Sequence, residues 1–367
     1  MTSTTPEVRR VAVLGTGLMG TSIAMAAART GLAVRGWDVD PDVTARAASF
    51  GALEPAASLE DAVAEADLVV VATPIRSVAG TVVAALRVNT SATVTDAASV
   101  KGGIVRDVRE AAGRAFERFV PGHPMGGSER SGPEHASVHV VDSIVWVLTP
   151  SEDTDPGRTG QIEGFVGSLG ARPIRLSPAR HDRLVAFVSH LPQVASTSLM
   201  GLAAVEEAGE PDILLLAAGG FRDLTRLAAS NPRLWGEILR ANGVEIGAAI
   251  DLFVARLESL RDEIAAGAPD GVERTFEEAK AARLRLATKP QVRAGVAVLQ
   301  VEIPDEPGAL ARITATLGGG KVNIEDLQIV HSPEGGRGLV HLTVAAASLD
   351  SATDVLAGGG YDPVRLA

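Results

Sequence analysis

Gly15-Thr16-Gly17-Leu18-Met19-Gly20 ends an apolar run, Val11 to Leu14, and leads into an Ala-rich stretch from Ile23 to Ala28. A G-x-G-x-x-G between a strand and a helix is suited to a pyrophosphate. Gly15 permits the tight turn, Gly17 lets backbone N–H groups approach the anion, and Gly20 lets the helix pack on the strand. The helix N-terminus adds partial positive charge. Asp38 follows the next strand-like run, Ala33 to Trp37, at the spacing of a carboxylate that binds a ribose. That carboxylate would repel a 2′-phosphate, so the pattern predicts NAD. Arg35 on the same strand leaves NADP open.

Proton-transfer and anion-binding candidates come later in the chain. His123 lies in a Pro/Gly loop, Val120-Pro121-Gly122-His123-Pro124-Met125-Gly126-Gly127-Ser128-Glu129, after a strand-like run. Its residue type and place suit a general base, but a surface histidine is the alternative. Ser99, in Asp96-Ala97-Ala98-Ser99-Val100-Lys101-Gly102, either caps a helix or faces a ligand. Arg222 and Arg226 are four apart on a predicted helix and share a face, where two carboxylates would neutralise them. Solvent exposure or pairing with Asp223 is the alternative. His181 and His190 are nine apart, half a turn out of phase on a straight helix. A bend, for which Pro192 is a possible cause, would let both face one pocket. His190, with Gln193 on its face, is placed near the substrate, and the role of His181 is left open.

These residues need a scaffold. Up to about residue 176, short apolar runs alternate with helical patterns: Val11–Leu14, Ala33–Trp37, Leu68–Ala72, Ala92–Thr95 and Ile144–Leu148. That alternation predicts an α/β domain, a doubly wound parallel sheet of Rossmann type over residues 1–176. From 177 to 290 helical periodicity takes over, as in Ile246, Ile250, Phe253, Leu257 and Leu260, and predicts an all-α domain that pairs with a second copy. Thr288-Lys289-Pro290-Gln291 reads as a linker. Residues 291–367 give a βαββαβ order of ferredoxin-like type, with turns at Asp305–Gly308 and Ser332–Gly336. In it Pro307 suits a first helical turn, Gly308 allows close approach of a ligand, and Asn323 begins the second strand with an amide that could reach it.

The 367 residues include 39 glycines and no cysteine, are 46% hydrophobic and 22% charged, and carry a formal net charge of −11. The composition is that of a folded globular protein. The acidic balance argues against nucleic acid, and no apolar run reaches membrane-spanning length. Without cysteine there is no thiolate nucleophile or disulfide, which suits the cytoplasm. No cluster has metal-ligand spacing, so no metal is expected.

Taken in order, the glycine motif, Thr73-Pro74 after a strand, Asp96–Gly102, Gly122–Gly132, Ser189-His190-Leu191-Pro192 and Gly219-Gly220-Phe221-Arg222-Asp223-Leu224-Thr225-Arg226 resemble the prephenate dehydrogenase family, which includes arogenate and cyclohexadienyl dehydrogenases. The resemblance covers about residues 9 to 287. It implies NAD-dependent oxidative decarboxylation of prephenate in L-tyrosine biosynthesis, or the equivalent reaction of arogenate. It implies His123 as general base and Ser99 as its partner on the substrate hydroxyl. Arg226 would bind a substrate carboxylate and Glu129 would lie near the pocket mouth. The cofactor would be held at Gly15–Gly20, Asp38, Thr73 and Pro74. The family's His-Leu-Pro-His is His190-Leu191-Pro192-Gln193 here, and this departure bears on substrate preference. Beyond Val296 the chain resembles an ACT-type regulatory domain, marked by Asp305-Glu306-Pro307-Gly308-Ala309-Leu310 and Asn323-Ile324, which implies an amino-acid effector such as L-tyrosine. A β-hydroxyacid dehydrogenase or a pyrroline-carboxylate reductase would lack the paired histidine and arginine motifs. A sensor of NAD and an amino acid, without turnover, would not need His123, Ser99 and Arg226.

Overall fold

The computed structural model describes residues 8–126, 130–267, 269–287, 295–331 and 337–366. The chain forms two compact units, residues 1–198 with 227–252, and residues 199–226 with 253–367. The segment 177–290, predicted as one helical domain, is therefore shared between them.

The first unit opens with β1 (Arg10–Leu14), α1 (Leu18–Arg29), β2 (Ala33–Trp37), α2 (Pro41–Ser49), β3 (Glu54–Pro55), α3 (Leu59–Val63), β4 (Leu68–Val71), α4 (Ile75–Val88), β5 (Thr93–Asp96), α5 (Gly102–Ala112) and β6 (Phe119–Val120). The strands form one parallel sheet in the order β3-β2-β1-β4-β5-β6. Period-two alternation sorts its side chains: Val11, Val13, Leu68 and Val70 enter the core on one face, and Ala12, Leu14, Val69 and Val71 enter the core on the other. Both faces are covered by helices, which is why these runs are continuously apolar. Leu14, Val71 and Asp96 pair side by side, so the loops after β1, β4 and β5 share one edge. The strand order reverses between β1 and β4, where ligands bind in open α/β sheets.

The run near Ile144 does not extend this sheet as predicted. It lies in a separate three-stranded sheet of β7 (Gly122–Pro124), β8 (Val145–Leu148) and β9 (Arg172–Arg175), with β7 antiparallel to β8. Pro121 has no N–H and separates β6 from β7. Its carbonyl accepts from the Thr149 N–H at 2.8 Å, which ties the switch between sheets to the end of β8. α6 (Pro156–Ser168) connects β8 to β9.

α7 (Pro178–Val185) starts at a Ser177 cap and runs through one π turn, Ala186–His190, into α8 (Leu191–Glu206). Then come α9 (Gly219–Thr225), α10 (Pro232–Ala241), α11 (Gly243–Ala265) and α12 (Pro269–Ala287). Among the described residues no helix is long and apolar enough to cross a membrane.

The second unit carries β10 (Val296–Pro304), α13 (Ala309–Gly319), β11 (Asp326–His331), β12 (Arg337–Ala345), α14 (Leu349–Gly358) and β13 (Val364–Leu366). Its antiparallel sheet has the order β11-β12-β10-β13. Leu299, Val301 and Ile303 alternate onto the core face against Ile313, Leu317 and Leu356 of the two helices. The βαββαβ order is present, but two details differ from expectation. Pro307 precedes α13 instead of opening it, because Gly308, at φ +88°, is the cap and turns the chain. Asn323 lies in irregular chain three residues before β11, and its amide donates to the Glu325 carboxylate at 2.6 Å. The 288–291 linker and the 332–336 turn lie outside the described residues.

Candidate active site

The glycine motif is built as a cradle. Gly15 has φ +91°, and a Cβ there would lie 2.7 Å from the Ala72 backbone. A Cβ at Gly20 would meet the Gly15 carbonyl oxygen at 1.8 Å, so α1 can approach β1 only with glycine there. Around Gly17 the space is open. Leu18 is buried at the start of α1, and Met19 packs against the sheet core. The Asp38 carboxylate takes the Thr16 N–H at 2.9 Å and the Asp40 N–H at 3.1 Å, which fixes the acid beside the loop. Pro74 caps α4, and the buried hydroxyls of Thr16 and Thr73 have no hydrogen-bond partner among the described residues. A dinucleotide fits these groups. Both terminal nitrogens of Arg35 are committed to the Asp61 carboxylate at 2.9 Å, and one also reaches the Asp61 carbonyl at 2.8 Å. Arg35 is thus committed to Asp61, while Asp38 stands beside the glycine loop.

His123, partly buried in β7, sits at the same edge of the sheet as the cradle. The neighbouring Gly122 N–H donates to the Asp96 carboxylate at 3.1 Å, at the end of β5. Beneath it Lys101 is completely buried. Its ammonium donates to the Asp96 carboxylate and, at 2.6 Å, to the Gly122 carbonyl. Lys101 and Asp96 thus hold both backbone polar groups of Gly122 and fix the histidine beside it. The ring of His123 meets that of His181 edge-on, with 2.8 Å between Nδ1 of His123 and Nε2 of His181. Nδ1 of His181 is 2.8 Å from the Asp182 carboxylate. Asp182 also accepts the N–H groups of Lys101 at 2.8 Å and Gly102 at 2.7 Å, at the N-terminus of α5.

Charge follows from this packing. Burial first, then the fields of His181, Lys101 and His190, push His123 well below the ordinary histidine value. Burial works against the Asp182 charge, but the bonds from His181, Gly102 and Lys101 together hold its carboxyl below the usual range. Burial, opposed by Asp182 and aided by His181, takes His190 down to about 4. His123 and His190 are thus held neutral at pH 7, and a neutral imidazole can accept a proton.

His181 and His190 do serve one neighbourhood. The π turn between them winds less per residue than an α-helix and reduces their half-turn offset. It ends just before Pro192, whose ring would clash with the carbonyl four residues back in regular α winding. Asn242 bridges the region, donating to the Asp182 carbonyl at 2.9 Å and lying 3.2 Å from Nδ1 of His190. Trp235 stands edge-on to His190. Gln193 is tied into the scaffold: its amide donates to the Leu227 carbonyl at 2.7 Å and its oxygen accepts from Ser230 at 3.2 Å.

Other expectations fare differently. Among the described residues the Ser99 side chain makes no hydrogen bond, and the ring contact of His123 is with His181. Glu129 lies outside the described residues. Arg222 and Arg226 belong to the second unit and are exposed, with no carboxylate partner among the described residues. Asp305, Pro307, Gly308 and Asn323 are exposed, Ala309 is buried, and Ile324 packs against the core of its unit. Lys101, Asp182 and Asn242 were not singled out from sequence. Lys101 and the adjacent pair His181-Asp182 were the visible signals; Asn242 had none.

Comparison with known proteins identifies the family. A family model for the prephenate dehydrogenase nucleotide-binding domain matches residues 23–175, and one for the prephenate dehydrogenase dimerization domain matches residues 177–278. Cyclohexadienyl dehydrogenase of Zymomonas mobilis is 32% identical over 291 residues, 78% of this chain and 98% of that protein. Prephenate dehydrogenase of Bacillus subtilis is 29% identical over 91% of each chain. The crystal structure of A. aeolicus prephenate dehydrogenase with hydroxyphenyl propionate and NAD+ superposes with a TM-score of 0.71 at 30% identity, covering 77% of this chain and 99% of that one. Matches of this extent, with both family models in consecutive order, go beyond a shared fold, and the chain belongs to the prephenate dehydrogenase family of NAD-dependent oxidoreductases.

Proposed function

We propose that the protein oxidises and decarboxylates prephenate to 4-hydroxyphenylpyruvate in the cytoplasm, with NAD, as a step toward L-tyrosine. The observation that carries this is the neutral His123 at the cofactor edge of the sheet, its Nδ1 engaged by His181. NAD, when bound at Gly15–Gly20 and Asp38, supplies the hydride acceptor. His123 takes the proton of the ring hydroxyl while the hydride leaves the same carbon. The ring carboxylate departs as carbon dioxide, its bonding pair completes the aromatic ring, and His123 returns the proton to the phenolic oxygen. No net proton is consumed. Ser99 orients the hydroxyl, and His190 and Gln193 border the substrate. Arg226, with Arg222, binds a carboxylate, a role in keeping with two exposed cations that lack an acidic partner among the described residues.

Arogenate is the second candidate, because Gln193 replaces a histidine of the family pattern and the 27%-identical Synechocystis arogenate dehydrogenase superposes with a TM-score of 0.68. Following nicotinamide reduction with each substrate and each cofactor tests the reading. Greater kcat/KM for prephenate and for NAD is expected. Faster turnover of arogenate would reassign the substrate, and faster turnover with NADP would discount Asp38.

The helical segment forms a homodimer in this proposal. Leu202, Val205, Leu215, Leu216, Leu252 and Leu257 are exposed, more apolar side chain than a monomeric helical surface usually shows. The C-terminal unit is an ACT-type sensor of L-tyrosine, held near the N-terminus of α13 by Asp305, Pro307, Gly308 and Ala309 and near Asn323 and Ile324. Its support is the βαββαβ unit with a left-handed glycine cap. L-tyrosine is then expected to inhibit the full chain, and Gly308→Val or Asn323→Ala to remove inhibition without altering uninhibited turnover. Inhibition that persists in both variants and competes with prephenate would place tyrosine at the His123 site instead.

A further inference from the structure

The structure assigns His181 and Asp182 a positioning role: together they hold His123 with its proton on Nδ1 and its lone pair on Nε2. This goes deeper into the proposed His123 site and rests on that reading for its kinetic arm only. The assignment follows from counting protons along one line of contacts. Asp182 accepts two backbone N–H groups, one on each carboxylate oxygen, and faces a helix N-terminus, so it is the anionic end. The 2.8 Å contact with Nδ1 of His181 must then carry the histidine's proton. The assignment takes His181 with a single ring proton, and with that proton on Nδ1 its Nε2 is bare. The next 2.8 Å contact, to Nδ1 of His123, also needs one proton, and only His123 can supply it. Nε2 of His123 is left as the free acceptor.

The surroundings support this order. His181 is completely buried and Asp182 nearly so, which keeps water from satisfying the His181 ring in another tautomer. Among the described residues the charged and titratable groups around His123 are Lys101, Asp96, Asp182, His181 and His190, and Lys101 is committed to Asp96 and the Gly122 carbonyl. When Nε2 of His123 gains the substrate proton, the new positive charge faces the Nε2 lone pair of His181, with Asp182 behind it. The two imidazoles and the carboxylate can share that charge until the proton returns to the phenolic oxygen. Two adjacent residues, His181 and Asp182, thus act through a third that lies 58 positions earlier.

Two measurements on the full chain decide the matter. With 15N-labelled histidine, two-bond 1H–15N correlations near pH 7.5 are expected to show both His123 and His181 protonated on Nδ1. In His181→Gln, His123 is expected to lose that single form. A wild-type His123 protonated on Nε2 overturns the assignment whatever the substrate proves to be. For kinetics, His181→Gln and Asp182→Asn are each expected to lower kcat by about 10²–10³-fold, as loss of the correct tautomer does. KM for prephenate and the Kd for NAD are expected to stay within about threefold. Wild-type kcat in both variants overturns the role, and so does a joint loss of kcat and NAD affinity in both, which would make the pair structural. His181→Asn, the smaller amide, checks against a variant that misfolds. Should wild-type protein fail to oxidise prephenate, the substrate proposal falls, while the tautomer spectrum still decides this one.

Discussion

His123→Asn lowers turnover by about 10²–10⁴-fold, the usual worth of a general base, and leaves NAD affinity unchanged. Asparagine has no basic nitrogen, so the hydroxyl proton loses its acceptor as the hydride leaves. The cofactor groups, from Gly15 to Asp38, lie on other loops and keep their hydrogen bonds. Wild-type-like turnover in this variant would remove His123 from the mechanism. The pH profile offers a second check. Only the neutral ring accepts a proton, and burial beside His181, Lys101 and His190 lowers the pH at which His123 becomes charged. Activity is therefore retained as pH falls past the ordinary histidine value near 6.5 and is lost only further into acid. The acid limb of log kcat/KM is expected below pH 6.5. A limb at or above 6.5, with the protein folded, would contradict the packing around this ring.

The parts of the fold that sequence revealed are those where one local rule governs. Val11–Leu14 and Leu68–Val71 are covered on both faces, so their types alone indicate buried parallel strands. Gly15 and Gly20 follow from clashes that any side chain would cause, and Asp38 follows from its spacing. Where long-range packing decides, the sequence was silent. Val145–Leu148 is as apolar as β4, yet nothing local tells that it pairs with Gly122–Pro124 and not with β6. The π turn at Ala186–His190 depends on how α7 and α8 pack, with Pro192 the one local sign. His123 was visible from its loop, but its partner was not: the ring it meets lies 58 residues away in the chain, and no local pattern links the two. Lysine is rarely buried, so Lys101 could not be placed under the site from its type.

The largest effect on stability is expected from that lysine. Lys101→Met, similar in length and uncharged, should destabilise the first unit by about 3–5 kcal/mol, the usual result of removing one partner of a buried ion pair. Lys101 and Asp96 are both fully buried, so water cannot replace the lost ammonium. Asp96 would keep the N–H groups of Ala98 at 3.0 Å and Gly122 at 3.1 Å but lose its cation, and the Gly122 carbonyl would lose its donor. At about 2–4 °C per kcal/mol for a unit of this size, the midpoint of thermal unfolding should fall by roughly 6–20 °C. The double variant Asp96→Asn with Lys101→Met removes the stranded charge and should recover part of the loss, because the cost lies in a buried carboxylate without its partner more than in the missing bond. Turnover should fall as well, since the same lysine fixes the backbone on which His123 stands. If calorimetry finds Lys101→Met within about 1 kcal/mol of wild type, the scale of an exposed pair, then water reaches Asp96 and the pair does not anchor the histidine strand.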